Sequence, residues 1–262
     1  MGGRSRHSTP PAKNGGAKQV TAEEAGRIAA LLAEKWPDAH VELDHTNAYQ
    51  LLVATILAAQ STDKLINTVT PALFEKYPNA TALAQADQLE LEKMVKKTGF
   101  FRMKAKHLIG MAQAVVAKHD GEIPNTMEAL CSLPGVARKT ANVVLGSALG
   151  VHVGFVVDTH VTRLAARLHL TPHTDPVKIE HDLMQLVPQD QWTPFAHRLI
   201  WHGRYVCKGQ KPDCEHCTIA PLCASAFAPP PNPKPSKRSE WNKANRPKAK
   251  PAKPMAKKRG RA

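Results

Sequence analysis

The chain has 262 residues, 42% of them hydrophobic and 22% charged, which is enough to bury a core, and no run of eighteen apolar residues would cross a membrane. Its formal net charge of +14 sits at the ends. Residues 1–20 carry Arg4, Arg6, Lys13 and Lys18 with no acid, residues 228–262 carry twelve Lys or Arg against Glu240 alone, and the span between is close to neutral. That division reads as a folded core between two disordered basic tails, whose attraction for nucleic-acid phosphates would weaken steeply with salt. The N-terminus lacks the apolar centre of a signal peptide, so a cytoplasmic protein is expected.

Within the core the pattern is helical from end to end. Thr21 with Glu24 forms a capping box that opens a helix through about Lys35. Ala48 to Gln60 is apolar on nearly every face, as befits the centre of a bundle. Thr62 caps a helix running to about Tyr77, and Asp87 with Glu90 caps another that ends before Gly99. Met103 to Lys118 spaces Leu108, Met111, Ala112 and Val115 along one face, and a short helix follows Thr126. Further on, Val161–Leu168, Pro176–Val187 and Pro194–Tyr205 are helical, with Asp175-Pro176 and Thr193-Pro194 each reading as N-cap and first-turn proline. Val151 to Val157 is the one β-like run and is short, so the fold class is all-α.

Between these lies Leu133-Pro134-Gly135-Val136-Ala137-Arg138-Lys139-Thr140-Ala141, a sharp turn into a second helix, with Asp158 nineteen residues after Lys139. Pro134 fixes φ, and Gly135 is free to take a left-handed conformation. The turn leaves backbone N–H groups at a helix N-terminus, where an anion such as a phosphate is at home. Lys139 sits in the first turn, and a neutral lysine amine is a nucleophile. A solvated surface lysine in a tight helical hairpin is the plainer reading of that motif taken alone. Asp158-Thr-His-Val is likewise a good N-cap for the helix that follows.

Cysteine usage divides in two. Cys131 stands alone, expected as a small buried apolar residue. Cys207, Cys214, Cys217 and Cys223 form Cys-x6-Cys-x2-Cys-x5-Cys. In a cytosolic chain, four thiolates in one short loop point to a metal centre, either tetrahedral zinc or a four-iron, four-sulfur cluster.

Leu-Pro-Gly-Val-x-Arg-Lys-Thr-Ala, Val-Asp-Thr-His at 157–160 and the six–two–five cysteine spacing together resemble the endonuclease III family of helix-hairpin-helix DNA glycosylase/AP lyases, over about residues 22–225. The resemblance implies two helical domains with a DNA cleft between them: a six-helix bundle at 41–151 carrying the hairpin, and an iron–sulfur cluster domain joining 21–40 to 152–227. It implies Lys139 and Asp158 as catalytic residues and a 4Fe-4S cluster on the four cysteines. The expected partner is double-stranded DNA with damaged bases or abasic sites, which would hold a monomeric, membrane-free enzyme at the nucleoid. The implied reaction is bifunctional: oxidised pyrimidines are removed, and the strand is then cut by β-elimination through a lysine Schiff base. Gln60 matches the family's inserted glutamine and Phe100 a position that wedges into the base stack. The hairpin residues Gly135, Ala137 and Arg138, with Lys208 and Lys211 and nearby Arg204, would meet the backbone. Lys93, Lys96, Lys97, Arg102, Lys104 and Lys106 are further candidate phosphate contacts, although a solvated helix face also explains them. Ala137 departs from the family, whose turn usually has a second glycine there. Three other readings exist: a monofunctional glycosylase of the superfamily, a non-catalytic helix-hairpin-helix DNA-binding protein, and a zinc-stapled interaction protein.

Overall fold

The computed structural model describes residues 19–228, so the two basic tails lie almost wholly outside the described residues. Eleven α-helices and three short 3-10 turns follow one another, with no strand among the described residues. The helices are α1 (Ala22–Lys35), α2 (Ala48–Ala58), α3 (Asp63–Lys76), α4 (Ala80–Ala84), α5 (Gln88–Val95), α6 (Phe101–His119), α7 (Met127–Cys131), α8 (Arg138–Ala148), α9 (Thr159–Arg167), α10 (Pro176–Leu186) and α11 (Trp192–Tyr205). The Val151–Val157 run is irregular, and it buries Phe155, Val156 and Val157 without pairing as a strand.

Local chemistry sets most helix starts. Thr21 and Glu24 close the capping box from both sides, at 3.2 Å and 2.8 Å. Asp87, Thr62, Thr126 and Asp175 each accept from a first-turn N–H, as their sequences foretell. Two starts differ from expectation. Asn79 caps the one-turn α4, which makes seven α-helices in 41–151 where the sequence suggests six. The last long helix begins at Trp192, so Thr193 is not its cap but lies buried inside the first turn, its hydroxyl 2.8 Å from His152 Nδ1. Pro194 is tolerated there because first-turn N–H groups have no intrahelical acceptor to lose. Cys131 also differs: α7 turns Leu130 inward and leaves the thiol exposed, 3.6 Å from Met127 Sδ.

Packing falls into two groups of helices. α2 is buried from Leu51 to Ala54 and packs on α3, α6 and α8, while α4 and α5 lie against α6, and α7 against α8. In the other group α1 packs on α10 and α11, and α9 packs on α10 and α11. α11 also touches α8, and the contacts join both groups in one unit ending at Phe227. Fully buried Phe155 and Phe195 meet edge to face at 5.9 Å, which fixes the stretch leading into Asp158 from beneath. No helix among the described residues is long and apolar enough to cross a membrane.

Candidate active site and cysteine loop

The hairpin is built as its sequence requires. Gly135 has φ +78°, and a Cβ there would lie 2.9 Å from His107 Cβ, so both conformation and space call for glycine. Ala137 is the N-cap of α8 at φ −93°, ψ 165°, an extended geometry any residue adopts, so the departure from glycine costs the backbone nothing. No side chain caps α8, and the N–H groups of Gly135 and Ala137 have no acceptor among the described residues. Those donors therefore face outward at the positive end of an eleven-residue helix. Gly135→Ala should lower stability by roughly 1–3 kcal/mol through left-handed strain, and more through the clash with His107. Thermal unfolding together with affinity for an abasic-site duplex would check this.

Lys139 lies one residue into α8, exposed, with no hydrogen bond or ion pair among the described residues. Asp158 is the N-cap of α9, and its Oδ1 accepts from the N–H groups of His160 and Val161, both at 2.8 Å. Capping uses that one oxygen, so the carboxylate is oriented by the helix start without being consumed by it. His160 contacts Arg163 at 3.2 Å and crowds Gly203, which makes it a support of α9.

Lys139, Asp158 and Gln60 line one cavity of about 360 Å³. Ala137 and Arg204 line it too, and the rest of its wall is not legible as a site in the sequence. Arg204 bridges Glu42 and Asp63, the latter at 2.7 Å, and all three line the cavity. Burial alone would lower the Arg204 guanidinium, but Asp63 and Glu42 outweigh it and hold it above its ordinary value. Arg204 is therefore a paired wall residue, not a free backbone contact. His197 also lines the cavity, with Nε2 2.9 Å from Ser147 Oγ, and burial pushes it down to about 4.

Both wedge candidates occupy strained backbone. Gln60 has φ +56° in the turn that ends α2, where Ala59 has φ −53°, ψ 115° and Ser61 N–H donates to Ala58. Those are the angles of a type II turn, whose third position ordinarily belongs to glycine. Phe100 has φ +47°, ψ 27° at the start of α6 and is 65% exposed, while Phe101 beside it is half-buried. Lys93, Lys96, Lys97, Arg102 and Lys106 are exposed around this loop. Lys104 is not: it is buried, and its ammonium donates to Leu57 O and Thr98 O, each at 2.7 Å. It is a structural cation and offers nothing to a phosphate.

Arg138 is exposed but paired at one end. Its Nε and Nη2 donate to Glu180 of α10 at 2.7 Å and 3.0 Å, and Asn142 donates to the same carboxylate at 2.9 Å. Glu180 is 5% exposed, so one buried carboxylate braces the lysine-bearing helix. Gly154 passes close enough that a Cβ would sit 2.3 Å from Glu180 Oε1.

The four cysteines share one loop beside the C-terminal end of α9. Burial pushes the Cys217 and Cys223 thiols up. Among the described residues no three such side chains draw together as ligands of a single metal ion. Arg167 donates to Cys207 Sγ at 3.1 Å and to the carbonyls of Lys208 and Gly209 at 2.9 Å and 2.7 Å, while Arg163 donates to Cys207 O. His202 Nε2 lies 3.4 Å from Cys217 Sγ. An arginine and an imidazole at two of four cysteines in one loop suit an anionic thiolate-ligated group. Lys208 and Lys211 are exposed on the same loop, their amines without hydrogen bond or ion pair among the described residues.

Residues 53–189 match a family model described as HhH-GPD superfamily base excision DNA repair protein. The chain is 52% identical over 206 residues to endonuclease III of Synechocystis sp., covering 79% of this chain and 94% of the relative. A solved non-covalent endonuclease III–DNA complex superposes with a TM-score of 0.75 at 39% identity, covering 79% of this chain and 97% of that one. A trapped endonuclease III–DNA covalent intermediate superposes equally well, at a TM-score of 0.75 and 39% identity.

Proposed function

The chain belongs to the endonuclease III family of the HhH-GPD superfamily, and from that membership we propose a reaction carried by Lys139 and Asp158 on damaged pyrimidines in duplex DNA. It is a DNA glycosylase and AP lyase of base excision repair whose partner is duplex DNA with damaged bases or abasic sites. The observation that carries the residue-level reading is the single cavity lined by Lys139, Asp158 and Gln60.

A base within the stack is out of reach, so the damaged nucleotide must first leave the helix. Exposed Gln60 and Phe100 fill the gap, and the uncapped N-terminus of α8 takes a backbone phosphate at Gly135 and Ala137. Lys208 and Lys211 add contacts to the backbone. Lys139 Nζ then attacks C1′ as the bond from C1′ to the base breaks, and the departing base keeps that electron pair. Asp158 accepts the proton the amine sheds or, as a carboxylate, stabilises positive charge growing on the sugar. Opening of the sugar ring then gives the protonated Schiff base, the nitrogen lone pair displacing O4′ from C1′ as O4′ takes up a proton from water. Abstraction of a C2′ proton then breaks the bond from C3′ to oxygen, with the phosphate as leaving group. A relative captured as a covalent intermediate with DNA supports this covalent route.

Cys207, Cys214, Cys217 and Cys223 would hold a 4Fe-4S cluster, whose contribution when bound is to order a loop of few apolar residues. The two groups of helices act as two domains, the bundle of 41–151 supplying Lys139 and the segments 21–40 and 152–227 supplying Asp158. Between them runs the DNA cleft.

Borohydride trapping on a duplex carrying one thymine glycol tests the proposal. The expected result is a covalent protein–DNA adduct that forms only with reductant and appears alongside cut strand. Base release without any adduct, from folded protein, would rule out the Schiff base.

A further inference from the structure

We infer that buried Lys104 is a positioning residue that sets Gln60 and Phe100 as a single rigid wedge, an inference resting on the wedge reading above. The two residues belong to different loops, forty positions apart in sequence. The Lys104 ammonium joins the backbones of both. Leu57 O lies in the last turn of α2, three residues before Gln60. Its expected intrahelical donor, the Ser61 N–H, bonds Ala58 O instead. Thr98 O closes the 3-10 turn Lys96–Thr98, two residues before Phe100. Both are orphan carbonyls at helix C-terminal ends, where a cation is favoured by the helix dipole as well as by hydrogen bonding. Lys104 itself stands in the first turn of α6, its N–H bonded to Phe100 O at 3.0 Å. The same residue thus holds the Phe100 loop through its backbone and its side chain.

A wedge must resist the push of a stacked duplex, and both tips sit at positive φ, where a released backbone would relax. The site supplies its stiffness with one lysine, 4% exposed, where a phosphate contact would have to be exposed. Burying an ammonium is costly unless it is hydrogen-bonded, and the cost is met here by holding two loops together.

The inference predicts a duplex-specific defect. Lys104→Met should slow thymine glycol excision from duplex DNA about tenfold to a hundredfold, the scale expected for a displaced positioning group. It should also reduce the fluorescence rise of a 2-aminopurine placed beside the lesion, which reports unstacking. Cleavage of an abasic site in single-stranded DNA needs no wedge and should stay within about twofold of wild type. Lys104→Arg, with donors for both carbonyls, should restore most of the duplex rate. Lys104→Gln reaches at most one carbonyl and carries the same test if Lys104→Met does not fold. Adding Gln60→Ala to either variant should cost little more than the slower single change, since both act through one element. Equal losses on single and double strands, or fully additive losses, would overturn the inference. Normal duplex excision by both Gln60→Ala and Phe100→Ala overturns the wedge reading and the inference with it. A loss in those two with none in Lys104→Met overturns the inference alone.

Discussion

Lys139→Ala is expected to reduce strand cleavage at abasic sites by on the order of 10³-fold or more, the scale of losing an attacking nucleophile. Trapping by borohydride should vanish with it. Stability should change by less than about 0.5 kcal/mol, because the side chain is exposed and pairs with nothing among the described residues. The turn that presents it depends on Gly135 and on the Arg138–Glu180 brace, neither of which the substitution touches. Gel assays on an abasic duplex, with thermal unfolding alongside, separate chemistry from folding. If the variant still releases base at the wild-type rate while losing only the nick, base removal does not run through the amine. The enzyme would then be a monofunctional glycosylase with an incidental lyase. Cleavage at the wild-type rate would place the nucleophile elsewhere.

Asp158→Asn should slow excision by about 10²–10³-fold, the usual magnitude for removing one group that stabilises developing charge. Its effect on stability should be small, since asparagine caps a helix about as well as aspartate and can accept the same two N–H groups from His160 and Val161. Asp158→Ala is the companion: it removes cap and charge together and should cost about 1 kcal/mol besides the rate. Excision rates and unfolding free energies of the two variants divide the residue's structural work from its chemical work. A wild-type rate in Asp158→Asn would leave the carboxylate with capping alone.

What the sequence disclosed was local. Thr21–Glu24, Thr62, Asp87 and Asp175 announce helix starts because an N-cap is a contact between neighbours in the chain. The hairpin glycine and the cysteine spacing are local too. The missed features are pairings across the chain. Lys104 reads as surface charge until Leu57, 47 residues away, is seen to need a donor. The pairing of Arg138 with Glu180, 42 residues away, and of Arg204 with Glu42, 162 away, has no signal in the sequence. Thr193-Pro194 misled for the opposite reason, since the preceding 3-10 turn at Gln189–Gln191 feeds a helix that has already begun. Arg163 and Arg167, four apart on α9, carried a signal that was available: paired basic side chains on one helix face, which meet the carbonyl and the sulfur of Cys207.

The packing of α1 has a consequence for the order in which the protein is made. Its buried face of Ala25, Ile28, Ala29 and Leu32 rests on α10 and α11, and Trp36 reaches His202, 166 residues on. Once made, α1 has neither partner until residues 176–205 have followed it. At about 5–20 residues per second that interval is on the order of ten seconds or more. The bundle that carries Lys139 waits less, since α8 rests on the already-made α2, although its Glu180 brace arrives only with α10. The helix bearing Lys139 and the stretch bearing Asp158 thus both wait for residues 176–205 before they are fully held.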